Sequence, residues 1–446
     1  MTEKISIQPD YETKDETKAG NYFVSNYPPF SFWNEQDVPC VSSLLNSPSS
    51  GSAPLGIYYH VPFCRKRCHF CYFKVYTDKN SNDVRKYLAS TIKELQSYTE
   101  SNYVKGRKPK FVYFGGGTPS YLSAQQLEDL TDQMKAVLPW DDAEEVTFEC
   151  EPGTLSEKKL EAIKKFGVTR LSLGVENFSD HILEINGRAH RSKEVFSAYK
   201  FAKELGFENI NIDLIAGMLD ETDENWTECV EQVKELSPDC VTIYQMEVPF
   251  NTGIFKSMKE GGKLTAPVAD WPTKRRWVNQ AYEALEKVGY TVTSAYTAVK
   301  NPEATKFIYR DRLWSGADMI GLGVSSFGHL GGIHYQNLTN IDHYCDTIES
   351  KKTPIRRALL TNDEERFIRE LILQWKLGRV NQKYFNDKFG VNISERYYTV
   401  LSEWKGRGDL SEENEELVLS RSALLKVDTL LHGLFLPRHR NAERYV

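Results

Sequence analysis

Long apolar stretches are missing from this chain: no run of about 18 or more such residues occurs, so no membrane-spanning helix is expected. The first twenty residues, MTEKISIQPDYETKDETKAG, are polar throughout, which argues against a secretory leader. A strong charge of either sign is also missing. Lys and Arg number 56 against 62 Asp and Glu, a formal net charge of −6, so no nucleic-acid partner is expected. Short basic stretches at 65–67 and 105–110 read as solvated surface. Cysteine is scarce, with eight residues, and Cys40, Cys150, Cys229, Cys240 and Cys345 are scattered singly. That is no disulfide framework, and it points to a reducing, cytoplasmic setting.

What remains is an ordinary folded composition in 446 residues, enough for one large catalytic domain and an appendage. Residues 1–53 read as an irregular arm and linker, marked by Pro28, Pro29 and the Ser/Pro-rich stretch 42–54. From 56 onward strand-like and helix-like segments alternate. Strands are expected at 56–61, 110–117, 144–152, 170–177, 209–218 and 240–248, with helices between them and one near 270–289. Such alternation argues for parallel strands joined by right-handed crossovers, in a barrel or an open doubly wound sheet. In either, reactive groups gather at the carboxyl ends of the strands. Residues 54–355 are assigned to this α/β domain. Residues 356–446 read as a smaller, mostly helical domain with a winged-helix rhythm, without the basic surface that DNA binding needs.

One concentration of cysteine breaks the scarcity. "HVPFCRKRCHFCYF" holds Cys64, Cys68 and Cys71 in the spacing C-x3-C-x2-C. Thiolates suit zinc, copper(I) and iron–sulfur clusters. A closed zinc site wants four ligands, and His60 and His69 are the neighbours that would supply a fourth. His69 lies in a loop too tight to turn inward easily. Three cysteines on a [4Fe–4S] cluster leave one iron open to a small molecule. Iron–sulfur, zinc and buried or redox-active thiols all remain readings of the residues.

Tyr58, His60, Pro62, Phe63 and the cysteine triad resemble the radical S-adenosylmethionine (SAM) superfamily, and within it the oxygen-independent coproporphyrinogen III oxidase (HemN) family. The resemblance runs from about 55 to 435 through GGGTPSYL (115–122), TFECEPGTL (147–155), RLSLGVENF (170–178), GRAH (187–190), NIDLIAGM (211–218), TIYQMEV (242–248) and LWSGADMIGLGVSSFG (313–328). It implies a partial (β/α)6 barrel and a [4Fe–4S] cluster on Cys64, Cys68 and Cys71. It also implies that SAM sits on the open iron and yields a 5′-deoxyadenosyl radical, with flavodoxin or ferredoxin as electron donor. Matching positions assign SAM contacts to Tyr58, Gly116, Gly117, Thr118, Glu149, Glu176, Arg188 and Asp213. Physical sense accompanies most of these. Glycines admit close backbone approach. An inward carboxylate at Glu149 suits an ammonium, and the Arg188 guanidinium suits a carboxylate. Asp213 interrupts an apolar strand, which is costly without a partner. Glu151 shares the parity of Glu149 but precedes a turn at Pro152.

The chain departs from the oxidases. Phe73 stands where they usually carry a further cysteine, Glu176 where glutamine is common, and Met218-Leu219 where Gly217 is usually followed by Leu-Pro. The departures point instead to the HemN-like class C methyltransferases, which use two SAM molecules to methylate an sp2 ring carbon. The loop GLGVSSFGHLGG (321–332) is the expected second SAM contact, and the menaquinone ring the expected substrate, with transient membrane-surface contact. Porphyrinogen oxidation on a tetrapyrrole and heme chaperoning are the alternatives. The aromatic stretch NYFVSNYPPFSFW (21–33) is either a segment pinned by its rings or a lid over a flat substrate.

Overall fold

The computed structural model describes residues 16–440, apart from positions 19, 21, 50, 52 and 263–266. The polar start of the chain and the first residue of the aromatic stretch therefore lie outside the described residues. Six strands form in the expected places: β1 Leu55–Val61, β2 Pro109–Gly116, β3 Glu145–Cys150, β4 Arg170–Glu176, β5 Asn209–Ala216 and β6 Cys240–Gln245. They pair in sequence order and in parallel, with no reversal. A doubly wound sheet reverses its strand order at a switch point. This one does not, which leaves the partial barrel.

Alternation explains why the strands hold. Ile57 and Tyr59, Val112 and Phe114, Val146 and Phe148, Leu171 and Leu173, and Ile210 and Ile212 are buried in one core beneath the crossover helices. The opposite face carries Tyr58, Tyr113, Thr147, Glu149, Ser172, Asn211, Asp213, Thr242 and Tyr244, a polar and aromatic barrel interior. The helices begin on strong local signals. Ser123 and Gln126 make a capping box, as do Asn80 and Asp83, and Ser156, Thr222 and Asp270 cap the helices that follow them.

The sheet is larger than the sequence suggests. Beyond β6 lie β7 Thr291–Val292 and β8 Thr297–Val299. On the other side β9 Asp318–Leu322 runs parallel to β1, followed by antiparallel β10 Phe327–Leu330, β11 Ile333–Asn337 and β12 Ile355–Leu360. The expected boundary at 355/356 thus falls inside β12. The C-terminal region then holds helix Asp363–Trp375, further short helices, and a small antiparallel sheet of β13 Arg379–Asn381, β14 Leu410–Glu413 and β15 Glu416–Leu419.

The arm is not irregular throughout. Val38–Asn46 is a helix with proline in its first turn, where a missing N–H costs nothing. Val41 is buried in the barrel core, and Asn34 bridges to Ala358 of β12. The aromatic residues are pinned. Trp33 stacks on His334 at 5.2 Å, Phe30 meets Phe327 at 4.6 Å, and Tyr27 meets Phe435 at 4.8 Å. They join β10 and β11 to the C-terminal region.

Candidate active site

The cysteine segment follows β1 and is tied down at many points. Cys64 N–H donates to Tyr76 O at 3.1 Å, and Tyr76 N–H to Pro62 O at 2.8 Å, which closes the loop at its base. His69 N–H donates to Asn186 O at 3.0 Å, while Ile254 N–H donates to His69 O at 3.0 Å. Arg67 reaches Cys71 O at 3.0 Å and Asn251 O at 3.1 Å. Arg65 pairs with Glu151 at 2.9 Å, and His190 lies 3.5 Å from the same oxygen. Burial would raise Glu151, but His190 and Arg65 outweigh it and hold the carboxyl below its usual range. Glu151 is therefore a strut for the cysteine loop.

Neither histidine serves as a fourth ligand here. His69 turns away, its Nδ1 bonded to Ile185 O at 2.9 Å and its ring against Gly187. His60 points into the barrel, its Nδ1 bonded to the Tyr58 hydroxyl at 3.1 Å. Among the described residues no three His, Cys, Asp or Glu side chains converge closely enough for one metal ion. A cubane asks for something different, a separate thiolate for each of three irons. The donor set fits it. Cys64, Cys68 and Cys71 feel one another's charge and that of Arg188. Thr118 Oγ1 donates to Cys64 Sγ at 3.3 Å, and Arg188 Nη1 to Cys68 Sγ at 3.3 Å. Burial pushes Cys64 up to about 12 and Cys71 up to about 11, so both thiols release protons when a cluster is loaded.

Beside the thiols lies an acidic mouth. Glu149 of β3 accepts from Tyr113 OH at 2.5 Å and Gly116 N–H at 3.1 Å. Burial raises its pKa to about 7, and the charges of Asp213 and Glu176 push the same way. Burial also raises Glu176 to about 7, against the pull of Arg188, whose Nη2 lies 3.6 Å away. Glu176 takes a left-handed φ of 66° at a bulge in β4, so its carboxylate turns into the mouth. A Cβ on Gly174 would stand 3.1 Å from that carboxylate, which explains the glycine.

Two expectations change. Asp213 is not a lone carboxylate: Ser172 Oγ donates to it at 2.8 Å and Asn211 Nδ2 at 2.9 Å, with Thr242 bonded to Asn211 at 2.9 Å. Its partners face the same interior from β4, β5 and β6. The glycine turn is not open backbone either. A Cβ at Gly116 would meet the His60 ring at 2.6 Å, and one at Gly117 would meet Val61 O at 2.9 Å and Cys64 Sγ at 3.1 Å. The glycines let β2 pack against the cysteine loop.

The loop 321–332 differs more sharply. Cβ atoms at Gly321, Gly323 and Gly328 would collide with Phe327, Tyr87 and Tyr335. Asn337 Nδ2 donates to Gly323 O at 3.0 Å and to Ser326 Oγ at 3.1 Å, and Glu94 accepts from Gly323 N–H at 2.8 Å. These contacts give the glycines of this loop a packing role within the fold.

Sequence reasoning also missed an aromatic wall. Tyr58 and Tyr113 stack at 6.0 Å, and Tyr113 meets Tyr309 at 4.3 Å. Across the barrel Tyr244, 43 % exposed, stacks on Tyr296 at 6.1 Å. Tyr72 and Phe73 stack at 4.5 Å at the rim, both exposed. The signal for Tyr113 and Tyr244 was strand parity, readable only once the inward face was known.

Comparison with known proteins places this geometry. Residues 58–233 match the model of the radical SAM superfamily. The chain is 32% identical over 357 residues to the heme chaperone HemW of Lactococcus lactis, covering 78% of this chain and 89% of that one. The chain belongs to the HemN-like family of radical SAM proteins. It is also 29% identical over 372 residues to HemW of Bacillus subtilis, across 82% of this chain and 96% of that one. Similarity to the oxygen-independent coproporphyrinogen III oxidase of Helicobacter pylori is 26% over 368 residues, 79% of each chain. The fold matches coproporphyrinogen III oxidase (HemN) of Escherichia coli with a TM-score of 0.78 at 19% identity, across 94% of this chain and 99% of that one. The radical SAM family uses a [4Fe–4S] cluster and SAM, and this HemN-like chain carries the thiols and the cation-receptive mouth for both. No helix among the described residues is long and apolar enough to cross a membrane.

Proposed function

We propose that this HemN-like protein is a radical SAM enzyme of porphyrinogen oxidation, acting on a tetrapyrrole. The observation that carries this reading is the barrel mouth. Three carboxylates, Glu149, Glu176 and Asp213, face a space beside three cysteines, and an aromatic wall of Tyr58, Tyr113, Tyr309 and Tyr244 stands next to it. When bound, the cluster and SAM together supply hydrogen-atom abstraction. Cys64, Cys68 and Cys71 would hold the cluster, with Thr118 and Arg188 donating to the sulfurs of Cys64 and Cys68. Glu149 would receive the SAM ammonium, and Asp213 the ribose hydroxyls. The tyrosines offer flat faces to the individual pyrrole rings and keep water away. One electron from a soluble donor such as flavodoxin or ferredoxin is needed for each SAM cleaved, and one electron leaves the substrate radical for an acceptor, such as an oxidised carrier of the same kind, as carbon dioxide departs.

A second reading is the heme chaperone, favoured by identity to two HemW proteins along most of the chain. Methyl transfer to a quinone ring, the first expectation from sequence, has no support among the relatives, which are named heme chaperones or coproporphyrinogen oxidases.

The test is anaerobic reconstitution with iron and sulfide, reduction, and incubation with SAM and coproporphyrinogen III. Release of 5′-deoxyadenosine and carbon dioxide in step is the expected result. Stoichiometric heme binding with no turnover would establish the chaperone instead, and S-adenosylhomocysteine accumulating beside 5′-deoxyadenosine would establish methyl transfer.

A further inference from the structure

A second charged cavity lies at the opposite end of the barrel strands. It has a volume of about 230 Å³, and Arg170, Cys240, Thr297, Thr305, Lys306 and Arg310 are among the residues that line it. Arg170 opens β4, whose other end carries Glu176. Six residue steps at about 3.3 Å put the two ends roughly 20 Å apart. The cavity is therefore far from the thiols and from Glu176, while Asp213 lies near enough to Arg170 for the two charges to act on each other.

Its chemistry is that of two buried guanidinium groups, each with an N–H edge unpaired among the described residues. Arg170 is 2 % exposed, its Nη2 donates to Cys240 Sγ at 3.3 Å, and its guanidinium lies 4.4 Å over the Phe307 ring. Its Nη1 is buried with no hydrogen-bond partner among the described residues, and the same holds for Arg310 Nη1. Arg310 spends its other nitrogens on Asp311, at 2.8 Å each, and lies 5.6 Å over the same Phe307 ring. Asp311 also lines the cavity, its carboxylate held by Arg310, and Glu145 is taken up by Ile308 N–H at 3.0 Å, Tyr309 N–H at 3.1 Å and Thr147 at 3.0 Å. Buried guanidinium N–H groups without acceptors are costly, and an oxyanion is their natural partner. Phe307 fixes both planes, so the two free edges are held in place before any ligand arrives.

We propose that this cavity binds a small oxyanion, a phosphate or a carboxylate, between Arg170 Nη1 and Arg310 Nη1, with Lys306 adding charge. Size sets the class. Sites for drug-sized ligands run to about 300–1,000 Å³, so this one admits a single phosphate or short carboxylate and neither a nucleotide nor a tetrapyrrole. A bound anion would clasp the crossover through Lys306 and Phe307 to the base of the barrel.

The test is isothermal titration of the full-length, cluster-loaded chain with inorganic phosphate in one arm and acetate in the other. One-to-one binding of at least one anion is expected, and which arm responds separates the two sources. Arg310→Gln should weaken that binding at least about tenfold, the loss of a charge-assisted contact. Arg170→Gln risks the fold because the residue is buried, so Arg310→Gln combined with Lys306→Ala is the deciding variant. Saturating anion should leave SAM affinity unchanged, which keeps this test independent of the tetrapyrrole reading. The proposal is overturned by any of three results: neither anion binds, binding persists undiminished in the double variant, or the anion competes with SAM.

Discussion

Two buried glutamates, Glu149 and Glu94, have nearly the same pKa for different reasons. Burial raises each to about 7. Around Glu94 every remaining influence pulls downward. Tyr344 OH donates to it at 2.5 Å, Asn337 Nδ2 at 2.6 Å and Gly323 N–H at 2.8 Å. Around Glu149 two influences push upward, Asp213 and Glu176, against Tyr113 OH and Gly116 N–H. A carboxylate saturated by donors is part of the frame. A carboxylate crowded by other carboxylates is suited to a cationic ligand, and on the function proposed above the SAM ammonium would be that ligand. The shift alone distinguishes nothing; the signs of the neighbours do.

The largest effect should come from neither glutamate. Cys64→Ala removes one of the three thiolates, and should abolish both stable iron loading and 5′-deoxyadenosine formation while the fold survives. Iron content and product analysis on the same sample check this. Retained SAM cleavage would remove the cluster from the comparison.

Next come the two glutamates, exchanged one at a time. Glu94→Ala leaves three buried donors unpaired and should cost about 3 kcal/mol of stability in chemical denaturation. SAM affinity of the folded fraction should not change. Glu149→Gln should do the reverse. It removes a charge-assisted contact worth about 1.5–3 kcal/mol, or roughly 10–100-fold in SAM affinity, and leaves the denaturation midpoint no lower. If Glu149→Gln unfolds the chain and Glu94→Ala weakens SAM, the assignment of frame and mouth is inverted.

The sequence showed these two carboxylates unequally. Glu149 is visible because it sits in a short strand whose parity points it inward, close to a cysteine motif of specific spacing. Glu94 lies in "TIKELQ" on a charged helix and reads as solvated face. Its burial depends on Tyr344, Asn337 and Gly323, more than 200 residues away. The same limit hid Tyr113, Tyr244 and Tyr309, because most aromatic residues pack in cores and only the register of the sheet turns these inward. The six barrel strands were legible because their outward positions are apolar without a break. Helix Val38–Asn46 was not, because Pro39 and the serines after it resemble a linker until the proline is seen in the first turn.

The smallest effect is the most discriminating, because it uses the pKa shift that the two glutamates share. Each carboxyl has an ordinary value of 4.5 raised to about 7 in the fold. The folded state thus holds protons that the unfolded state has released between these values. Stability is full below about pH 4.5, falls as pH rises, and has lost both contributions above about 7. A cationic ligand favours ionised Glu149, so SAM affinity should fall up to about tenfold per unit as pH drops below 7, and this slope should shrink in Glu149→Gln to what Glu176, also raised to about 7, contributes. Saturating SAM should also flatten the part of the stability–pH curve that belongs to Glu149, because the ammonium returns that carboxyl to its ionised form. The part that belongs to Glu94 should remain, with or without SAM, until Glu94→Gln removes it. Denaturation series across pH 5 to 8, with and without SAM, therefore separate the two groups by ligand response even though their pKa values coincide.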